Sequence, residues 1–243
     1  MYTRYGILED MEHTTQPKNL TTPQAIVIAG VLIMIALFVT QNGVAPKKEK
    51  TLSEQVGVSK ENLTLCLEKL DEASLYESLM KSVEGAMKNV PQNERGTPYT
   101  VVIGSNGVMA DIRGAESYEN IMKVIQEVES GTVTRPYTGT ITLSEPTDHP
   151  MGNPKASITL IEYSDYECPF CKRIHPTLER IVGESNGTVR WIYRHWPLHQ
   201  NSFTKLAAAE CVAQIKGDEA FWEYSELLFG LLKTGDESPT EQL

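Results

Sequence analysis

The sequence predicts a mixed α/β domain behind one membrane-spanning helix, and three observations carry that expectation. Ala25 to Thr40 is an uncharged apolar run without proline. Tyr99 to Ile112 contains two β-branched runs flanking Ser105-Asn106-Gly107, the pattern of a hairpin, and a helical period follows. Ser157 to Tyr163 reads as a buried strand and runs through four residues into Cys168-Pro169-Phe170-Cys171 at the head of a second helical period. The chain has 243 residues, 40% of them apolar, enough to bury a core. Its net charge of -10 has the wrong sign for neutralising phosphates, which excludes nucleic-acid binding as a function class.

Taken in order, residues 1–24 form a polar tail and residues 25–45 an anchor, whose 21 positions suffice to cross a bilayer core of about 30 Å. A cleaved signal peptide is the competing reading, since Gly43-Val44-Ala45 offers small residues, but Pro46 follows the cut and Lys18 is the nearest preceding base. Lys47, Lys48 and Lys50 follow the segment. By the positive-inside rule they would leave the C-terminal part in the cytoplasm, whereas the cysteine chemistry below argues for the outside. Residues 46–51 are a linker. In Ser53 to Val90, Leu63, Leu67, Leu70, Leu75 and Leu79 recur at helical spacing and predict two or three amphipathic helices. The hairpin comes next, then a helix opened by Ser117 that carries Ile121, Val124, Ile125 and Val128 on one face. Residues 130–154 read as a linker with one short strand at Gly139 to Leu143. After the Cys-x-x-Cys helix, Thr188 to Tyr193 is another strand and Asn201 to about Leu232 is helical.

The chemistry centres on Cys168 and Cys171. At a helix N-terminus the backbone N–H groups and the macrodipole stabilise a thiolate, so Cys168 should be acidic while Cys171, one turn in, stays shielded. Pro169 suits the first helical position because its missing N–H needs no partner there. A metal site is the rival, with His175 on the same helix as a further donor. A closed tetrahedral site needs two more ligands, and no second Cys-x-x-Cys is present.

On these residues the chain resembles the DsbA-like thiol-disulfide oxidoreductases of the thioredoxin superfamily. Residues 155–243, with Cys-Pro-Phe-Cys and Tyr193-Arg194-His195-Trp196-Pro197-Leu198, are similar to the N-terminal half of that family. Residues 52–129, with Gly96-Thr97-Pro98 before the hairpin, are similar to its C-terminal half. The resemblance therefore implies a thioredoxin fold with an inserted helical subdomain, circularly permuted so that the C-terminal half comes first. The two halves total 167 residues, a plausible single domain. Fragments of two tandem domains that exchange halves between protomers are the alternative.

Carried over by position, the resemblance makes Cys168 the nucleophile, Cys171 its resolving partner and Pro98 after Thr97 the cis-proline facing the pair. It makes Glu162 the buried acid below them, a proton relay for Cys171; a solvent-facing edge residue is the alternative. Phe170 stands where the best-known members carry His, and it cannot place a charge beside the thiolate, which points to a milder oxidant. The resemblance implies reduced secreted or surface proteins as substrates, a quinone-linked membrane partner for reoxidation, an extracytoplasmic home, and no organic cofactor or metal. A reductase or isomerase, or a non-catalytic interaction module, is the competing function. Cys66 and Cys211 fall on helices of the insertion, one in each half; bonded they would tie the halves together, unbonded they are two buried thiols. His195, Trp196 and Trp222 read as packing residues. His13, His149 and His199 show no partners, and Asp165 and Glu167 read as exposed loop charges.

Overall fold

A computed structural model describes residues 49–232 of the chain. The expected tail, the anchor at 25–45, His13 and residues 233–243 lie outside the described residues. Among the described residues, no helix is long and apolar enough to cross a membrane.

The leucine-rich stretch forms three helices, each started by a residue suited to the task. Thr51 and Glu54 make a reciprocal capping box at α1 (Leu52–Gln55). Ser59 caps α2 (Lys60–Lys69) and Asp71 caps α3 (Glu72–Ala86), each accepting from a first-turn N–H. The hairpin follows as β1 (Tyr99–Gly104) and β2 (Met109–Arg113). Its turn is fixed by Asn106, whose side chain accepts from Val108 N and donates to the Val128 carbonyl. Ser117 caps α4 (Tyr118–Ser130), and Gly131 ends it at φ 76°, the left-handed conformation that glycine adopts without cost.

The second part of the chain supplies β3 (His149–Gly152), β4 (Ile158–Ser164), α5 (Pro169–Glu184), β5 (Val189–His195), α6 (Ser202–Lys216) and α7 (Asp218–Leu231). Among the described residues, the five strands join one sheet in the order β2-β1-β4-β5-β3, parallel between β4 and β5 and antiparallel elsewhere. A strand-strand-helix unit thus precedes a strand-helix-strand unit in the chain, and β1 pairs with β4 to make them one sheet.

Alternation along β4 sorts the core. Ile158 and Leu160 face a large apolar cluster with Trp191, Tyr193, Cys168, Cys171 and residues of α4 to α7. Ile161 and Tyr163 face the other way, onto Val83 and Ala86 of α3 and Met87 that caps it. Glu162 and Ser164 continue the first of these faces, which is the face of the cysteines.

The expected strand at Gly139 to Leu143 is absent, and β3 forms instead ten residues later, at His149–Gly152. His-Pro-Met-Gly has no β-branched residue, and proline is tolerated there because β3 is an edge strand paired to β5 alone. Residues 131–148 are a strap rather than a free linker. Thr140 N donates to the Gly85 carbonyl at 2.9 Å and Tyr137 N to the Met109 carbonyl at 3.0 Å. Gly139 is required there, since a Cβ would lie 2.4 Å from the Ala86 carbonyl oxygen.

Candidate active site

Strand β4 ends at Ser164, and the loop after it is organised by Asp165. The Asp165 carbonyl accepts from Cys168 N at 3.0 Å and its Oδ1 accepts from Glu167 N at 2.7 Å. The same carboxylate gathers the segment beyond β5: Leu198 N and His199 N donate to Oδ2 at 2.8 and 2.9 Å, and Ser202 Oγ donates to Oδ1 at 2.5 Å. His199 Nδ1 also meets Oδ2 at 2.9 Å. Asp165 is therefore buried and His199 has a partner, contrary to the sequence expectation for both. Glu167 is likewise no free loop charge, because it pairs with buried Lys205 at 2.7 Å.

Cys168 is the N-cap residue of α5 and Pro169 opens the helix. Cys168 and Cys171 are both thiols, buried at 3% and 0% exposure. Across 71 positions of sequence, the Cys168 thiol meets the Thr97 carbonyl oxygen at 3.3 Å, and the Thr97-Pro98 bond is cis. The loop that opens the hairpin thus lies against the sulfur. The Cys168 thiol is held below its ordinary range, first by a hydrogen bond from Cys171. Burial works against this, and Thr97 and the backbone N–H groups of Cys171 and Phe170 support it. Cys171 is pushed up, first by burial, then by Cys168 and by the nearby Glu162.

Glu162 is wholly buried beneath the pair, and neither carboxylate oxygen has a hydrogen-bond partner. Burial raises it to about 8; Ser164 and Trp191 beside it work the other way, and Cys168 adds to the rise. Phe170 is half exposed and carries the Arg173 guanidinium 4.8 Å from its ring centroid. The sequence reading missed this cation beside the motif, although the three-residue spacing on a helix was a usable signal.

Other candidates separate from the pair. His175 packs against Trp191, Trp222 and Phe229, and burial lowers it to about 4. Among the described residues, neither cysteine joins a group of three metal-ligating side chains. Trp196 is buried on the α3 side, while Trp222 packs on Trp191 and donates to the Pro150 carbonyl. His195 stacks edge-on to Tyr193 and Phe221. His149 was expected to stand alone, yet it meets Glu210 and Asp218 at 3.0 Å each. Cys66 of α2 and Cys211 of α6 form a disulfide.

Comparison with known proteins matches part of the chain. A family model described as thioredoxin matches residues 144–242. Over these residues the chain is similar to that family. The match takes in β3 through α7 and both cysteines of the motif, and β1 and β2 of the same sheet lie outside it. Among curated proteins, the chain is 36% identical over 85 residues to Na(+)/H(+) antiporter NhaA 1 of Mycolicibacterium gilvum, covering 34% of this chain and 13% of that one. It is 35% identical over 97 residues to Na(+)/H(+) antiporter NhaA 1 of Salinispora arenicola, covering 40% and 14%. The chain spans about an eighth of the length of these relatives. Among solved structures, DsbA2 of Pseudomonas aeruginosa is 35% identical with a TM-score of 0.33, over 36% of this chain and 50% of that one. A periplasmic thioredoxin-like protein from Salmonella enterica serovar Typhimurium is 26% identical with the same TM-score of 0.33, over 40% and 54%.

Proposed function

We propose that the chain is an extracytoplasmic thiol-disulfide oxidoreductase that acts as an oxidase, introducing disulfides into secreted or surface proteins. One observation carries the reading: an acidic Cys168 thiol at a helix N-terminus, touching the Thr97 carbonyl, with a shielded Cys171 as its only thiol neighbour among the described residues. Stabilising the Cys168 thiolate stabilises the reduced pair, which makes the disulfide form the stronger oxidant.

The reaction starts from the Cys168-Cys171 disulfide. A substrate thiolate attacks Cys168 Sγ, the bond to Cys171 breaks, and Cys171 leaves as a thiolate that takes a proton from Glu162. A second substrate thiolate attacks the substrate sulfur of the mixed disulfide and expels Cys168 as a thiolate. Two substrate thiols have become one disulfide, and the pair holds their two electrons. A quinone-linked membrane partner takes those electrons up. The apolar span at 25–45 would hold the domain at the bilayer beside that partner. The order of the two units in the chain supports a circular permutation, with the strap at 131–148 joining the original ends.

Equilibration of the purified full chain with glutathione buffers tests the oxidase reading. The expected potential lies well above the roughly -270 mV of thioredoxin and below the roughly -120 mV of the strongest oxidants, because Phe170 contributes no charge of its own. A value at the thioredoxin level would replace the oxidase with a reductase. Thiol-oxidation activity in Cys168→Ser equal to that of the parent chain would remove the catalytic reading altogether.

A further inference from the structure

A second constellation is built from residues the redox reaction does not use. On the antiparallel pair β3 and β5, His149 stands opposite Tyr193. His195, two residues along β5, therefore shares its face. Helix α6 brings Glu210 to the same place, with Oε1 3.0 Å from His149 Nε2 and 3.1 Å from His195 Nε2. Exposure is 4% for His149, 2% for His195 and 5% for Glu210. One donor atom from each lies within 4.8 Å of the other two. The His149 ring is fixed from behind: its Nδ1 meets Asp218 Oδ1 at 3.0 Å, and it stacks on Phe221 at 3.5 Å.

Two features set this group apart from a simple ion pair. One imidazole is enough to satisfy the carboxylate as a salt bridge, and His149 provides it with good hydrogen-bond geometry. His195 Nε2 is equally close to the oxygen but off the hydrogen-bonding direction, and it has no other hydrogen-bond partner. A buried ring nitrogen without such a partner is costly, and this one converges on the same point as its neighbour. Second, a carboxylate on the far nitrogen of His149 is the arrangement that fixes the tautomer and orientation of metal-bound imidazoles.

We propose that His149, His195 and Glu210 form a binding site for a divalent transition cation of the zinc class, with Asp218 orienting His149 from outside it. Two imidazoles and a carboxylate suit zinc better than calcium or magnesium, which take oxygen ligands. Bonds of about 2.0–2.1 Å in a tetrahedral site require donors about 3.3 Å apart. The two imidazole–carboxylate distances of 3.0 and 3.1 Å come within a few tenths of an ångström of that, and the two imidazole nitrogens, within 4.8 Å of each other, close on the cation as it binds. Two neutral imidazoles with the Glu210 and Asp218 carboxylates balance a charge of +2. The bound cation cross-links edge strand β3 to β5 and to the α6–α7 pair. None of this rests on the oxidoreductase reading.

The test uses the purified full chain with Cys168 and Cys171 oxidised to a disulfide, so that no thiolate competes, and Co²⁺ and Zn²⁺ as probes. The expected result is one Co²⁺ per chain with the visible d–d bands of a low-coordinate nitrogen and oxygen site, displaced by one equivalent of Zn²⁺. Glu210→Gln and His195→Gln should each weaken Zn²⁺ binding at least 100-fold with an unchanged far-ultraviolet spectrum. Equal Zn²⁺ affinity in the folded variants overturns the proposal and leaves the cluster an ion pair. Should both variants unfold, the parent chain decides: a Co²⁺ spectrum no different from the hexaaqua ion overturns the site, and a stoichiometric low-coordinate spectrum upholds it.

Discussion

Glu162 is the carboxyl group whose charge the fold disfavours most openly. Its neighbours on β4 are apolar on both sides in sequence, and alternation alone places it on the face of the cysteines. Buried there without a hydrogen-bond partner, its carboxyl is pushed up to about 8 from an ordinary value of 4.5 by loss of water. At neutral pH it is mostly protonated, which is the state that can give a proton to a departing Cys171 thiolate. The same shift fixes a sign for stability. Between the unfolded and folded values the native state holds a proton that the unfolded chain has lost, so unfolding free energy falls as pH rises through that window. The displacement from 4.5 to about 8 is worth up to about 5 kcal/mol. Reduced Glu162→Gln is therefore expected to match the parent chain at pH 4 and to exceed it progressively from pH 5 to pH 8.5 in urea unfolding; parallel curves across that range would mean that the carboxyl is hydrated. The two cysteines were legible because their signals are local, a four-residue loop and a helix start, whereas Glu162 was pointed to by the resemblance and its burial is what the strand alternation adds. Asp165 and His149 were not legible, because their partners lie 33 to 69 positions away. No window of sequence joins Asp165 to Leu198, or His149 to Asp218.

The elements were legible where propensity and burial agree. The capped helices and the hairpin follow from Ser, Asp and Asn-Gly signals at their ends, and β4 and β5 from β-branched and aromatic runs. The strap at 131–148 and β3 obey a different rule, since what fixes them is the sheet they lie on. Arg194 shows how. It is 1% exposed at the end of β5, yet it carries a charge and meets that charge with groups drawn from the strap. Its Nε and Nη2 grip Asp148 at 2.6 and 3.1 Å, Nη2 also reaches the Thr142 carbonyl at 2.6 Å, and Nη1 reaches Tyr163 Oη at 3.1 Å. Glu145 lies 3.0 Å from Nη1. Removing one partner of a buried pair leaves the others unpaired at a cost of about 3–5 kcal/mol. Arg194→Met, which keeps most of the volume, should lose stability of that order in chemical denaturation. It should also speed proteolysis within 131–148, because the strap loses its anchor. A loss below about 1 kcal/mol would show the strap to be held by its backbone contacts alone.

At the scale of the molecule, two stretches of chain that are incomplete apart make one sheet, with β1 and β2 from the first added to β4, β5 and β3 from the second. The parts meet along the β1–β4 ladder, through the strap, and through the Cys66–Cys211 disulfide between α2 and α6. Only the last acts on the unfolded chain as well as the folded one. It closes a loop of 145 positions, for which the chain-entropy model gives about 5 kcal/mol of stabilisation. Strain in the bonded state or residual structure in the unfolded chain would lower that figure. The m-value separates these effects from simple loss of contacts. A chain cross-linked over most of its length unfolds to a compact ensemble that exposes less surface, so cutting the link should raise m as it lowers stability. The double variant Cys66→Ser, Cys211→Ser, with Cys168 and Cys171 kept oxidised, is expected to unfold with up to about 5 kcal/mol less free energy and a steeper denaturant dependence. If stability falls while m stays constant, the disulfide acts by packing α2 on α6 in the native state. If neither changes, burial along the shared sheet is sufficient to hold the two parts together, and the bond has no role in joining them.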